Sequence, residues 1–397
     1  MKPICEFHGG VDVAKPKRVE LLEIVGHFQS LEDPRSSINR HHPLVSVMVI
    51  SLMAVLSGAD GPTAIRKWAE SKRDLLLSVL DLPKGLPSKD VFRRVLMALD
   101  PQAFQTCFVS WLNSMQSAAG SQPGQRPTMA VDGKCLRGSH DRSKGLGPLH
   151  LVSVWLTDVG LTLAQTATDQ KSNEITAIPE VLKLVDMTGA IISIDAMGTQ
   201  TAIAAQIVDG GGDYVLALKA NQGGLHDAVI EHVNDHVDDD FARLRIRQHI
   251  ETDDKHGRDE TRTYIQFLVP KDLKGQSRWK GLQTIGLVIS HSVCGEKETM
   301  DVRYYISSLR MGIKQFARSV RSHWSIENTC HWSLDMTYRE DAQRTRNRQL
   351  AENLAWLRRF TLSLIKQHPG KESLVMKRRM CGWNDDFLMQ VITGQTI

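Results

Sequence analysis

The sequence predicts an α/β fold with a mixed sheet, preceded by a small all-helical region. Three observations support this prediction. Residues 20–118 have the apolar spacing of helices, and after residue 128 short apolar strands alternate with helices. From 241 to about 308, strand patterns follow one another with no helix between them. At 397 residues the chain is longer than one hydrophobic core usually supports, so we expect two domains.

The N-terminal part is expected to contain a tail, a helical domain and a linker. Residues 1–22 have no apolar stretch of the signal-peptide type, and the apolar stretch 44–56 is too short and interrupted to cross a bilayer. We therefore expect a cytoplasmic protein with no membrane partner. Residues 23–118 predict the helical domain, and two interpretations stay open: a DNA-binding helix-turn-helix or a bundle with no DNA role. Residues 119–128, rich in Gly, Ser, Pro and Gln, predict the linker.

The segment from 129 to 397 is expected to form the second domain. Strands are predicted at 129–131, in two pieces of 150–168, at 190–194 and at 214–218, with helices at 174–184 and 199–209. Long amphipathic helices return after residue 308. The order of strands and helices is typical of an α/β layout.

The distribution of charge and the spacing of the cysteines indicate which kind of functional site the chain can form. Residues 121–300 carry 19 Lys and Arg against 24 Asp and Glu, whereas residues 301–397 carry 16 against 9. A basic end beside an acidic middle suits a protein that contacts phosphate and holds carboxylates for metal, although an Arg-rich solvated helix gives the same pattern. The six cysteines are scattered, and no pair has the C-x-x-C spacing of a zinc site.

Three acids stand where such a metal site would need them. Asp132 follows the predicted strand 129–131, Asp195 follows a strand that is almost entirely isoleucine, and Glu327 lies in a predicted helix. Carboxylate oxygens suit Mg²⁺, and two such ions can assist phosphoryl transfer. Taken singly, Asp132 could be a turn residue and Glu327 a solvated one. Asp195 is stronger, because an acid beside so many apolar residues must be paired or bind metal.

Several longer motifs resemble the DDE transposases of bacterial insertion sequences, in particular the H-repeat-associated branch found beside Rhs elements. The resemblance covers nearly the whole chain. It is carried by FQSLEDPRS, VDGKCLRGS, DQKSNEITAIPE, IDAMGTQ, DYVLALKANQ, HGRDETR, YYISSL and RSHWSIENTCHWSLDMTYRED.

This resemblance implies a fold, a reaction and a set of partners. The fold is an RNase H-like catalytic domain at 129–397 with a β-rich insertion at about 241–308. Asp132, Asp195 and Glu327 are then the catalytic acids and metal ligands, holding two Mg²⁺ ions for which Mn²⁺ can substitute. The expected function is cleavage at transposon ends and strand transfer into target DNA, by a homodimer on the DNA. Two alternatives stay open, a nuclease without strand transfer and a domesticated DNA-binding protein.

The sequence departs from the family pattern around the third acid. Related transposases often have Arg four residues before it and Lys seven after, where this chain has His323 and Leu334. Asp335 is expected to support the metal ligands without binding the metal itself. Trp324 and Trp332 are expected to anchor the helix in the core. The candidate DNA contacts are the following basic residues: Lys219, Arg258, Arg321, His323, His331, Arg339, Arg344 and Arg346. For the two histidines a place flanking the metal is the other interpretation, and a zinc site is disfavoured by the spacing.

Overall fold

The structure is a computed structural model that describes residues 26–119, 126–168, 174–239, 241–254 and 259–394. The predicted tail 1–22 and most of the predicted linker lie outside the described residues. Within these ranges, none of the helices combines the length and the apolar character that crossing a membrane requires.

The N-terminal region is helical, as predicted. Its helices are α1 (Leu44–Leu56), α2 (Pro62–Ser71), α3 (Arg73–Val79), α4 (Lys89–Ala98) and α5 (Pro101–Ala119). Helix α1 is apolar on every side, so it is buried on every side and forms the centre of this region. Helix α4 begins at Ser88, whose hydroxyl accepts the backbone N–H of Val91, a cap that the sequence indicated.

A mixed sheet of nine described strands follows. The strands are β1 (Thr128–Leu136), β2 (Leu149–Leu156), β3 (Leu161–Thr168), β4 (Ile191–Ile194), β5 (Asp213–Leu218), β6 (Ile246–Asp253), β7 (Asp259–Leu268), β8 (Thr284–Cys294) and β9 (Lys297–Ser307). Strands β1 to β3 form an antiparallel meander, and β4 and β5 run parallel to β1. The order β3-β2-β1-β4-β5 is that of an RNase H-like sheet, so this prediction is confirmed.

The β-rich segment extends the same sheet. Strand β9 pairs antiparallel with β5, and β8, β7 and β6 follow in order. The four strands form two long hairpins, β6 with β7 and β8 with β9. The pairing of β5 with β9 joins these hairpins to the first five strands. The predicted insertion is therefore a continuation of the sheet formed by β1 to β5.

Helices cover both faces of the sheet. The remaining helices are α6 (Glu174–Leu182), α7 (Thr201–Asp209), α8 (Gly223–Val237), α9 (Ile313–Ser325), α10 (Trp332–Met336), α11 (Arg348–Gln367), α12 (Leu374–Trp383) and α13 (Asp385–Thr393). Helices α6, α7 and α8 share one apolar core with the sheet. Helix α9 packs on the opposite face through Phe316, Ala317 and Val320, against residues that include Ile191 of β4 and Val215 of β5.

The last helices return to the first ones. Helix α11 is buried over most of its length and packs against α1, α4 and α5. The ring centroids of Phe108 and Phe360 are 3.7 Å apart, and the Asn353 amide donates to the carbonyl oxygens of Leu96 and Leu99. The helical region and the C-terminal helices thus share one hydrophobic core.

Candidate functional site

Asp132 and Asp195 occupy neighbouring places at one edge of the parallel strands. The parallel pairing of β1 with β4 ends with Val131 opposite Ile194. Asp132 directly follows Val131, and Asp195 directly follows Ile194. The sequence predicted that β1 ends at Val131, which is wrong. The strand continues to Leu136 because β2 pairs with it along its whole length. Asp132 is still the first residue of β1 that β4 no longer covers.

The backbone after Asp195 holds its side chain in place. The Gly198 N–H donates to Oδ1 of Asp195 at 3.2 Å, and the buried Thr199 hydroxyl lies 3.1 Å from the Asp195 carbonyl oxygen. The same hydroxyl donates to the carbonyl oxygen of Ala217 at the end of β5. These bonds tie the Asp195 turn to the neighbouring strand, so the carboxylate stands on a rigid support.

Glu327 lies in a π-helical segment, Ile326–His331, between α9 and α10. The sequence predicted an ordinary α-helix here. Within a long helix a single π turn is uncommon, and such turns often occur at functional sites. The segment packs against β1, and Glu327 is exposed on it.

Two histidines flank Glu327 and face the sheet. The Nδ1 atom of His323 lies 3.2 Å from the Ser193 hydroxyl on β4, and that of His331 lies 3.4 Å from a carboxylate oxygen of Asp132. Burial lowers the pKa of His323, and it lowers the pKa of His331 well below its ordinary value, with Arg359 acting in the same direction. Both rings lie beside the acids and contact the sheet.

Asp132 is influenced by its burial and by the other two acids. Burial raises the pKa of Asp132 to about 7, and the carboxylates of Glu327 and Asp195 act in the same direction. Among the described residues, no three His, Cys, Asp or Glu side chains converge closely enough to hold a metal ion as they stand. The donor set nevertheless fits a hard divalent cation, because it consists of carboxylates whose mutual repulsion a cation relieves.

One cleft opens beside two of these acids, and a second cleft adjoins it. The smaller, of about 190 Å³, is lined by Asp195, Glu327, His323 and the exposed Lys219, which follows β5. The larger, of about 490 Å³, lies over strands β7 to β9, and Arg321 lines it. Both clefts share a few residues, among them Arg303 and Trp324, whose guanidinium and ring stack at 4.3 Å.

Asp335 lies near the acids, but its carboxylate forms an ion pair with a lysine. It accepts a bond of 2.6 Å from Lys134, which is two residues beyond Asp132 on β1. Lys134 is buried and also lies 3.6 Å from Asp341. The ion pairs connect the strand of Asp132 to the segment that follows α10.

That segment, residues 339–348, carries the predicted arginines and is called the arginine loop below. Arg339, Arg344 and Arg346 are all exposed on it. Glu340 anchors the loop from inside: it is fully buried and accepts a bond of 3.0 Å from the equally buried Arg359. Arg348 donates to the carbonyl oxygen of Gly147. The loop is therefore fixed at both ends while its arginines face solvent.

Some predictions receive no support or fail. Arg258 lies outside the described residues. Trp332 is 58% exposed, so the expectation that it anchors the core is wrong. Trp324 is half-buried beneath Arg303 and lines both clefts. Leu334, which stands where related transposases often have lysine, is fully buried and does not line either cleft.

Sequence reasoning missed a buried pair behind Asp132. Nε2 of His150 on β2 bonds to Oε1 of Glu174 on α6, and both residues are buried. Both contact the position where a Cβ of Gly133 would stand. The available signal was the motif DQKSNEITAIPE, which contains Glu174 and was used only for its resemblance.

Comparisons with known proteins agree with the geometry. The family described as Transposase DDE domain matches residues 123–364, and its associated domain, DDE_Tnp_1-associated, matches residues 25–112. YbfL of Escherichia coli K12 is 34% identical over 387 residues, covering 95% of this chain and 99% of that protein. YhhI of the same strain, which its name assigns to the H repeat-associated transposases, gives the same identity and coverage. A piggyBac transposase synaptic complex with hairpin DNA covers 94% of this chain and 80% of that chain, at 12% identity and a TM-score of 0.39, too weak a likeness to bear on the fold.

Proposed function

The chain belongs to the transposase DDE domain family, and we propose that Asp132, Asp195 and Glu327 are its catalytic acids. Membership makes the protein a DNA transposase of the DDE type. The observation that carries the proposal is the register of β1 and β4, which brings the two aspartates side by side. Glu327 joins them because its helical segment packs on β1.

The metal belongs to the same proposal. The three carboxylates would hold divalent ions, with two Mg²⁺ as the proposed set and Mn²⁺ as a substitute. Ions bound there would polarise the attacking oxygen and stabilise the charge on the leaving oxygen. The charges of Glu327 and Asp195 act on Asp132, and a bound cation would offset the repulsion among these carboxylates.

The protein residues around the acids have definable tasks. The Gly198 N–H fixes the Asp195 carboxylate, and His331 supports Asp132 from the helix side. Lys219 stands in the same cleft as Asp195 and Glu327, where its ammonium group can pair with the scissile phosphate. In the proposed reaction, a water oxygen bonds to phosphorus at a transposon end while the bond to the 3′-oxygen breaks. The freed 3′-hydroxyl then attacks a target phosphodiester, displacing another 3′-oxygen.

DNA is proposed to cross the exposed basic residues beside the acids. Lys219, Arg321, Arg339, Arg344 and Arg346 supply these contacts, because each is exposed at the surface. Cationic side chains that pair with phosphates position the duplex without reading its sequence. A homodimer on DNA is part of the proposal, since joining two transposon ends to one target requires two active sites.

The test removes one acid without changing its shape. Asp195→Asn is expected to lower cleavage of DNA carrying the element's ends by at least about 1,000-fold in Mg²⁺, because the variant loses an ionised ligand. DNA binding and the melting temperature should stay near wild type. Asp209→Asn is the matched control, as its exposed carboxylate pairs with Lys280 on the surface. Normal cleavage by the Asp195 variant would refute the assignment.

Strand transfer needs its own measurement. Precut ends are incubated with a supercoiled target plasmid, and joined products are counted by gel and sequencing. We expect joining by the wild-type protein and none by Asp195→Asn. Cleavage without joining would contradict the proposed strand transfer and indicate a nuclease.

A further inference from the structure

A carboxylate and an imidazole bond to each other in the interior behind Asp132. Glu174 is 6% exposed and His150 is 3% exposed. Nε2 of His150 bonds to Oε1 of Glu174, which joins strand β2 to the first residue of helix α6. A buried carboxylate is costly unless it is paired, so the two residues form one structural unit.

This pair packs directly on the residue after Asp132. A Cβ placed on Gly133 would overlap Oε1 of Glu174 and would lie 2.5 Å from Nε2 of His150. Only glycine therefore lets the strand approach the pair this closely. Gly133 is joined to Asp132 by a peptide bond, on the strand β1 that carries both residues. The contact thus runs from the pair, through one peptide, to the carboxylate.

We propose that the buried Glu174–His150 pair positions Asp132 for cation binding through its contact with Gly133. The inference rests on the proposed function, because it takes Asp132 as a metal ligand. Glu174 also places a fourth acidic group behind the three ligands, and this negative charge attracts a cation. Both residues act through Asp132 and are positioning residues.

Direct binding of Mn²⁺ to the full-length protein, followed by electron paramagnetic resonance, tests the inference. The variants are Glu174→Gln, which keeps the shape and removes the charge, and His150→Gln, which leaves the Glu174 charge in place. We expect both to bind Mn²⁺ about 10- to 100-fold more weakly and to need correspondingly more Mg²⁺ for half-maximal cleavage. Metal-free DNA binding should stay at the wild-type value.

Glu180→Gln is the matched control, because it lies on the same helix with an exposed carboxylate paired to Lys183. It should bind Mn²⁺ as the wild type does. If Glu174→Gln does not fold, as its melting curve would show, His150→Gln decides the matter alone. Wild-type Mn²⁺ affinity in the folded variant overturns the inference.

Asp132→Asn separates this inference from the proposed function. If Asp132→Asn binds Mn²⁺ and cleaves normally, the assignment of the catalytic acids fails. If Asp132→Asn is inactive while Glu174→Gln and His150→Gln are normal in both assays, only the positioning role fails.

Discussion

The Nδ1 atom of His331 lies 3.4 Å from a carboxylate oxygen of Asp132, which links the π-helical segment to the first strand of the sheet. Burial keeps the pKa of His331 well below its ordinary value, so the ring is neutral at neutral pH. A neutral imidazole can support a carboxylate without cancelling the charge that a cation needs.

Replacing His331 by Leu should slow DNA cleavage about 10- to 100-fold, because Asp132 loses its polar neighbour on the helix side. Single-turnover cleavage at saturating Mg²⁺ measures this, with DNA binding unchanged. Met336→Leu is the control, as this residue is 62% exposed on the next helix. An equal loss of rate in both variants would show a general effect on the helix.

Replacing Arg344 and Arg346 together by Ala should weaken DNA binding and reduce its salt dependence. The slope of log affinity against log salt should fall by roughly one for each phosphate that the variant no longer neutralises. Titrations at several salt concentrations give the slope. Lys183→Ala, an exposed lysine that follows α6, should leave it unchanged. An unaltered slope in the double variant would place the DNA elsewhere.

Gly138→Ala should displace the arginine loop, because a Cβ at residue 138 would overlap the carbonyl oxygen of Gln343. Such overpacking costs about 1–3 kcal/mol. We expect a lower melting temperature together with weaker DNA binding. Gly147→Ala has open space for its Cβ and serves as the control. Wild-type values of both quantities for Gly138→Ala would contradict the close approach.

Glu340→Gln should destabilise the protein strongly, by about 3–5 kcal/mol, because it leaves a buried guanidinium without its charge partner. Arg359 is fully buried at 3.0 Å from Glu340, and Arg358 lies 3.7 Å away. Urea denaturation measures the change in the free energy of unfolding. Glu296→Gln, an exposed acid between β8 and β9, should change it little. A loss below about 1 kcal/mol would mean that the pair adds little to the stability of the fold.

Glu352 should make stability fall with rising pH. Burial raises the pKa of Glu352 to about 7 in the folded protein, and Asp100 acts in the same direction. The folded state therefore holds this proton more tightly than the unfolded state, whose carboxyl has the ordinary value of 4.5. Stability is lost as pH rises between these values. Glu352→Gln should raise the melting temperature by about 2–4 °C at pH 8 and less at pH 5. An equal gain at both pH values would assign the effect to packing.

Much of the fold followed from the sequence, because apolar periodicity distinguishes strands from helices. The same pattern does not encode which strand pairs with which, so the continuity of β9 with β5 emerged only in three dimensions. Nor does it reveal the π turn at Ile326–His331, since one additional residue barely changes the apolar spacing of a helix.

At the candidate site, the neighbouring places of the two aspartates were predictable because each follows a run of apolar residues. The buried pair of Glu174 and His150 behind Asp132 was not predictable. His150 lies in a largely apolar strand and Glu174 at a helix start, positions where such residues usually have no special role. The prediction for Trp332 failed for a related reason: an aromatic residue in an amphipathic helix is normally buried, but this one faces solvent.

The core that joins α5 to α11 has a consequence for synthesis. Phe108 cannot meet Phe360 until about 250 further residues have been translated, so the first helices leave the ribosome with their apolar sides uncovered. A ribosome that stops before α11 therefore releases a chain whose N-terminal helices lack the helix that they pack against. Such a product exposes apolar side chains that the shared core buries, and this core is complete only after α11 has been made.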